Sequence, residues 1–134
     1  VRVTGSNGSI SAYVWDVLEG GLPAEPISAQ LRRLDIAYPI APSAEVSRMD
    51  RLEETWVEAG LKNVETKQIS VQRTFDNFQQ FWDITTLSPS IGPTVKSHPD
   101  ITKRVKLMTQ EALGVDDTEP VTVTGFANAI KGNK

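Results

Sequence analysis

The sequence contains no cysteine and only one histidine, His98. The absence of cysteine excludes a disulfide framework, a thiolate nucleophile and a Cys-ligated metal site. A single histidine argues against a His-based zinc site, and its place between Ser97 and Pro99 in a predicted loop favours a surface residue over a general base. No apolar run approaches the roughly 20 residues that span a bilayer. With no signal-peptide pattern in the first residues, we expect a cytoplasmic protein without a membrane partner.

The chain has 134 residues, a net charge of −3 and 39% hydrophobic residues. This length predicts a single domain covering residues 1–134. A mildly acidic chain gains nothing from phosphate attraction, so nucleic acid is not an expected partner. The adjacent carboxylates Glu53-Glu54 and Asp116-Asp117 are interpreted as solvated surface, since neighbouring residues on a helix diverge in direction.

Hydrophobic periodicity and turn residues predict three strands and four helices. In chain order they are strand 10–15, helix 26–37, helix 43–61, strand 64–73, helix 76–87, helix 100–113 and strand 121–130. Ser43 is the expected cap of the second helix, and Gly60 and Gly114 lie where helices should end. Asp76 and Gln79 form a capping-box-like start of the third helix.

The first predicted strand, 10–15, carries apolar side chains on both faces. Ile10, Ala12 and Val14 point one way, and Tyr13 and Trp15 the other. A strand of this kind is typical of a sheet interior, so we expect cover on both faces and a neighbour on both edges.

Segment 2–16 resembles a stretch of class I S-adenosylmethionine-dependent methyltransferases, in particular the type 11-like small-molecule enzymes. There a helix ends in Arg-Val, a Pro-Gly-Gly turn follows, and the fifth strand reads Ala-Ala-Tyr-Val-Trp-Asp. This sequence keeps Arg2-Val3, Gly8 and the Ala12-Tyr13-Val14-Trp15-Asp16 run. It departs at Ser6-Asn7, although asparagine also suits a turn with positive φ. Three further segments continue the resemblance to the end of the chain: 58–65, 71–82 and 127–132.

The resemblance implies an α/β fold, a partial Rossmann-like fold in which this chain supplies the last three strands of the methyltransferase sheet. The three would form a mixed sheet with flanking helices, and the final strand would be central and antiparallel. The 134 residues contain no Gly-x-Gly-x-x-Gly motif, and the glycines at 5 and 8 precede a strand instead of following one. S-adenosylmethionine is therefore expected only in the complete enzyme, and the isolated chain is expected to bind no cofactor and no metal.

Five residues are candidates for substrate binding. Trp15 and Asp16 follow the first strand at its carboxyl end, where open α/β sheets place ligands. The alternative is that Trp15 packs in the core and Asp16 caps a loop. Phe78, Phe81 and Trp82 are candidates for an apolar substrate pocket, although their spacing also fits a helix face buried against the sheet. No catalytic residue is identified, and methyl transfer needs few, because much of its acceleration can come from holding donor and acceptor in line.

The preferred hypothesis is a fragment or truncated form of a transferase that methylates a small molecule and is inactive without its cofactor half. A second is a non-catalytic interaction module that forms a homodimer through the exposed edge of the first strand, because an open apolar edge recruits another chain. A third is an α+β domain that binds a hydrophobic ligand.

Overall fold

A computed structural model describes residues 4–134, so the Arg2-Val3 part of the resemblance lies outside the described residues. The secondary structure elements are β1 Ser9–Trp15, α1 Glu25–Arg33, α2 Met49–Glu58, β2 Lys62–Phe75, α3 Phe78–Thr85, α4 Gly92–Val95, α5 Pro99–Leu113 and β3 Val121–Asn133, with a 3-10 helix at Glu45–Ser47. Within residues 4–134, no helix has the length and apolar character needed to cross a bilayer.

The three strands form one sheet in the order β1-β3-β2. β3 runs antiparallel to β1 along the whole length of β1. On the other side of β3, the hydroxyls of Thr74 and Thr122 lie 2.8 Å apart, and Gln72 Nε2 donates to Thr124 Oγ1 at 3.3 Å. Residue numbers fall on one strand as they rise on the other, so this pair is antiparallel as well. The predicted three-stranded α/β arrangement, with flanking helices and a central, antiparallel final strand, is confirmed. The expected mixed sheet is wrong, because both pairs of neighbouring strands are antiparallel.

The described chain divides into two compact units. Unit 1 comprises the chain up to Leu22, residues Pro42–Val71 and residues Gly125–Lys134. Unit 2 comprises Pro23–Ala41 and Gln72–Thr124.

Unit 2 encloses an apolar core that is rich in aromatic side chains. Phe78 and Phe81 are fully buried, and the Phe81 ring meets the Phe75 ring edge-on with centroids 5.4 Å apart. Helices α1 and α5 pack against each other in this unit. The buried members of the core are Ile27, Leu31, Phe75, Phe78, Phe81, Trp82, Ile91, Val95, Val105, Val121 and Val123.

Unit 1 has a smaller interior between the sheet and the α2 region. Ile130 on β3 is 2% exposed. Two residues further on, a Cβ added to Gly132 would lie 3.4 Å from Leu61 Cβ and 3.5 Å from the Trp56 ring. The absence of a side chain at position 132 therefore lets the end of α2 approach the strand closely.

Several predicted boundaries are confirmed because local turn chemistry determines them. Gly60 and Gly114 adopt φ of 81° and 65° at the ends of α2 and α5. Asn7 likewise has φ of 64° in the turn before β1. This value agrees with the expectation that asparagine suits a turn with positive φ.

The predicted helix 43–61 is wrong in its first half. Ser43 does not cap it; the 3-10 helix comes first, and Arg48 has ψ of 143°, which breaks the helix before α2. The Ser47 carbonyl accepts a hydrogen bond from the Asn128 side chain at 2.9 Å. The side-chain amide of a residue on a distant strand thus takes the place of the helical N–H from which this carbonyl would otherwise accept a hydrogen bond.

The cap of α3 lies one residue later than predicted. The N-cap is Asn77, whose Oδ1 accepts from the Gln80 backbone N–H at 2.9 Å. Gln80 Oε1 in turn accepts from the Asp76 backbone N–H at 2.8 Å. This helix start is a variant of the capping box, because the Gln80 side chain bonds to the N–H of Asp76, one residue before the N-cap, and not to that of Asn77.

The expectation that the first strand is covered on both faces, with a neighbour on each edge, is wrong for the described chain. β1 is a terminal strand of the sheet, and Tyr13 on it is 80% exposed. Its alternating apolar residues are those of an interior strand, but β3 is the only strand paired with it among residues 4–134.

We expect Phe81→Ala to lower the free energy of unfolding by about 3–5 kcal/mol, because it removes a fully buried ring from the core of unit 2. Urea titration followed by tryptophan fluorescence measures this loss. Leu87→Ala is the control, since Leu87 is 74% exposed and should change stability by less than about 0.5 kcal/mol. Equal losses for the two variants would contradict the core assignment.

The turn before β3 lowers the pKa of Asp116, chiefly through a hydrogen bond from the Thr118 hydroxyl and also through backbone N–H groups. A carboxylate with a lowered folded pKa contributes stability above its unfolded pKa, and that stability is lost as the pH falls through the folded pKa. We expect Thr118→Val to raise the pKa of Asp116 towards its ordinary value, as measured by carboxyl-carbon NMR titration. Thr118→Ser keeps the hydroxyl and should leave the titration unchanged.

Candidate functional site

The carboxyl end of β1 leads into a buried polar cluster in unit 1, formed by Asp16, Ser47 and Asn128 and called here the Asp16 cluster. The three residues are 5%, 2% and 0% exposed. Asn128 Nδ2 donates to Asp16 Oδ2 and to the Ser47 carbonyl, both at 2.9 Å. Ser47 Oγ donates to the Ala44 carbonyl at 2.6 Å and accepts from the Val17 backbone N–H at 3.3 Å. The Asn128 amide therefore joins β3 to the end of β1 and to the 3-10 helix.

Two oxygens of this cluster have no hydrogen-bond partner among the described residues, Asp16 Oδ1 and Asn128 Oδ1. None of the ion pairs found in residues 4–134 involves Asp16. A buried carboxylate without a cation and with one unpaired oxygen is costly, and such groups in folded proteins call for an explanation. The cluster can accept two further hydrogen bonds, and this spare capacity fits a ligand group or water that donates.

The backbone holds the end of β1 in place through a loop that returns to β3. Asp16 N–H donates to the Phe126 carbonyl at 3.0 Å, and Phe126 N–H donates to the Gly21 carbonyl at 2.8 Å. Gly21 N–H closes the loop onto the Asp16 carbonyl at 2.7 Å. A Cβ at position 21 would lie 2.5 Å from the Phe126 carbonyl oxygen, so only glycine fits here.

Trp15 is half-buried and lies opposite Ala127 in the β1–β3 register. Since the facing residue is small, the strand partner leaves much of the indole uncovered.

A shallow groove of about 510 Å³ crosses the sheet surface of unit 1. Its lining residues are Ser11, Ala12, Tyr13, Glu65, Thr66, Lys67, Ala129, Ile130 and Lys131. Lys131 Nζ and the Glu65 carboxylate form an exposed ion pair at 3.1 Å, which contributes little to stability.

The other three predicted site residues lie in unit 2. Phe78 and Phe81 are fully buried and Trp82 is 5% exposed, and the Phe78 ring is 6.0 Å from Phe81 and 6.3 Å from Trp82 between centroids. This packing is the helix-face alternative that the spacing left open. A substrate-lining role for them stays a prediction.

Ionisable groups elsewhere in the described chain fit the surface roles expected of them. His98 is exposed ahead of α5, and the adjacent carboxylates at 53–54 and 116–117 are exposed. Within residues 4–134, no three side chains of His, Cys, Asp or Glu are grouped so as to hold a metal ion.

Ser47 and Asn128 are the members of the cluster that the sequence did not single out, and Asn128 carries the clearer signal. It occurs in the apolar run Phe126-Ala127-Asn128-Ala129-Ile130 near the end of the chain. A polar residue inside an apolar strand is the signal that could have identified it, because such a residue needs a buried partner. Its partners come from positions 16 and 47, and their distance in sequence hides the pairing.

We expect Asn128→Ala to lower the free energy of unfolding by about 3 kcal/mol, because it leaves the buried Asp16 carboxylate without its donor. In an Asp16→Ala background the same substitution should cost clearly less, since no carboxylate remains to be stranded. Urea unfolding of the four proteins of this double-mutant cycle measures the coupling. A coupling near zero would show that the Asp16–Asn128 bond carries no stability.

Comparisons with known proteins leave the family open. No family model and no curated protein matches the chain. Among solved structures, the chain is similar to a proposed methyltransferase from Bacillus halodurans C-125, with 17% identity and a TM-score of 0.41. The match covers 99% of this chain and 54% of that protein, so the chain spans about half the length of the structure that it matches.

Proposed function

We propose that this chain is the substrate-side, carboxyl-terminal portion of an S-adenosylmethionine-dependent methyltransferase that acts on a small molecule. The observation that carries the proposal is the strand order β1-β3-β2, with the final strand inserted antiparallel beside β1. The resemblance of the sequence implied this order, and an insertion of the last strand is unusual because strands consecutive in sequence are more often neighbours.

The proposal assigns the end of β1 to the substrate. Trp15 is half-buried and offers an aromatic surface. Asp16 bonds to Asn128 through one carboxylate oxygen. Its other oxygen, Oδ1, is buried and has no partner among residues 4–134, so a substrate donor would reach it only when the cover of the cluster opens. A substrate with an N–H or O–H group near the methylated atom suits this arrangement.

The proposal expects no complete cofactor site in this chain. The sequence has no Gly-x-Gly-x-x-Gly motif. It therefore lacks the glycine-rich loop of this kind that binds a nucleotide cofactor between a strand and a helix. The proposal therefore places S-adenosylmethionine binding in another part of the whole protein, and the chain alone is inactive.

The alternative of a non-catalytic dimerising module relates to the outer edge of β1, with which no strand pairs among residues 4–134. The alternative of a hydrophobic-ligand domain relied on Trp15, Phe78, Phe81 and Trp82. The burial of the last three in the core of unit 2 does not favour it.

We expect residues 1–134 alone to show no micromolar binding of S-adenosylmethionine in calorimetry, whereas the intact polypeptide that carries this sequence binds it and transfers a labelled methyl group. Micromolar binding of S-adenosylmethionine by residues 1–134 would contradict the placement of the cofactor site in another part of the protein. Absence of methyl transfer to any small-molecule acceptor by the intact polypeptide would contradict the function.

In the active intact polypeptide, Asp16→Asn should lower kcat/KM by at least about tenfold, because it removes an acceptor that the substrate uses. The dissociation constant of the cofactor should stay within about twofold, since the cofactor lies elsewhere. Asp50→Asn, at an exposed position on α2, is the matched control and should leave both quantities unchanged.

A further inference from the structure

The Asp16 cluster holds a buried carboxylate without a positively charged partner. Asp16 is 5% exposed, and no lysine, arginine or histidine forms an ion pair with it among residues 4–134. Within this part of the chain, its side-chain partner is the neutral amide of Asn128, which donates to Oδ2 at 2.9 Å. A buried charge is ordinarily paired, because an unpaired one costs far more free energy than a buried neutral group.

The two oxygens without a partner are enclosed by unit 1 itself. Asp16 Oδ1 and Asn128 Oδ1 are both buried, and both residues belong to this unit. A side chain from elsewhere in a longer polypeptide could therefore reach these atoms only by displacing residues of this chain. A partner for the two oxygens must enter when the cluster opens locally.

An ammonium group has the two properties that complement this cluster. It carries a positive charge, and it donates up to three N–H bonds, enough for both oxygens. An alcohol donates a hydrogen bond but leaves the carboxylate without a counter-charge. Calcium prefers about six to eight oxygen ligands, whereas residues 4–134 offer no group of three His, Cys, Asp or Glu side chains.

The 3-10 helix Glu45–Ser47 packs against the cluster and is easily displaced. Its Ser47 carbonyl accepts from Asn128 at 2.9 Å, and Ser47 Oγ accepts from the Val17 N–H at 3.3 Å. Within residues 42–60, the buried residues are Ala44 and Ser47, and α2 has none. Few buried apolar contacts hold this segment, which is the condition for local opening.

We propose that the Asp16 cluster binds the protonated amino group of the substrate, which enters when the 3-10 helix moves away. This assignment rests on the proposed function, since it names the chemical class of the methyl acceptor at the same site. Asp16 Oδ1 provides the counter-charge, and Asn128 Oδ1 provides a second acceptor. A protonated primary or secondary amine has the N–H bonds for both oxygens, whereas a quaternary ammonium has none.

The test is an NMR titration of the intact polypeptide that carries this sequence, with the Asn128 side-chain amide as reporter. Methylammonium chloride is the probe. Tetramethylammonium chloride, whose cation has no N–H, and potassium chloride are the matched salts. Methylammonium should shift the Asn128 resonances to saturation, with a dissociation constant of about 5 mM or more because the probe is so small. Each matched salt should bind at least tenfold more weakly.

Two variants separate binding at Asp16 from general attraction of cations. Asp16→Asn keeps the size of the side chain and removes its charge, so it should weaken methylammonium binding at least tenfold. Asp50→Asn removes an exposed carboxylate of α2 and should leave that binding unchanged. Equal binding of potassium or tetramethylammonium, or unchanged binding in Asp16→Asn, overturns the amine assignment. Absence of a saturable shift with methylammonium overturns the site.

Hydrogen exchange tests the way in. Opening of the 3-10 helix releases the Val17 N–H, whereas the Asp16 N–H stays bonded to the Phe126 carbonyl on β3. After correction for intrinsic rates, Val17 should exchange at least tenfold faster than Asp16. Equal protection of the two amides overturns entry past this helix.

The amine site and the proposed function fail separately, because the titration needs no methyl transfer. An intact polypeptide that binds methylammonium beside Asn128 but methylates no acceptor overturns the proposed function and keeps the amine site. An intact polypeptide that methylates an acceptor without an amino group keeps the proposed function and overturns the assignment of the substrate class.

Discussion

The central position of β3 is the constraint on which the rest of the structure depends. A strand with a partner on both sides must supply backbone donors in both directions, and proline cannot do so. Pro120 lies immediately before β3, and none occurs from Val121 to Asn133. β3 lies between β1 and β2 and follows both in sequence. Neither outer strand can therefore form its pairing in the sheet until β3 is present. The sheet is thus built from contacts between residues far apart in sequence.

The two units bury different kinds of side chain on this strand. In unit 2, Val121 and Val123 join an apolar core that also contains the rings of Phe75, Phe78, Phe81 and Trp82. In unit 1, β3 buries the amide of Asn128 beside a carboxylate, with two oxygens left unpaired. Hydrophobic burial explains the first arrangement fully. The second is costly for folding, because a buried carboxylate and amide keep one oxygen each without a partner among residues 4–134.

The same contrast separates the two edges of the sheet. β2 carries charged residues, which protect an edge strand from pairing with other chains. β1 has the composition of an interior strand, and its Tyr13 is exposed. Among residues 4–134, β1 therefore combines the composition of an interior strand with an edge position. The Asp16 cluster lies at the end of that same strand, so the substrate role proposed for it depends on β1.

The sequence by itself determined the features that local chemistry controls. Helix ends at Gly60 and Gly114 and the turn at Asn7 follow from the backbone conformations that these residues tolerate. The resemblance to methyltransferases also implied the central antiparallel strand. Only the tertiary structure decided the break at Arg48, the exposure of β1 and the partners of Asn128. Each of these depends on which distant residue supplies a hydrogen bond or covers a face, and a pattern within one segment carries no information about a partner far away in the sequence.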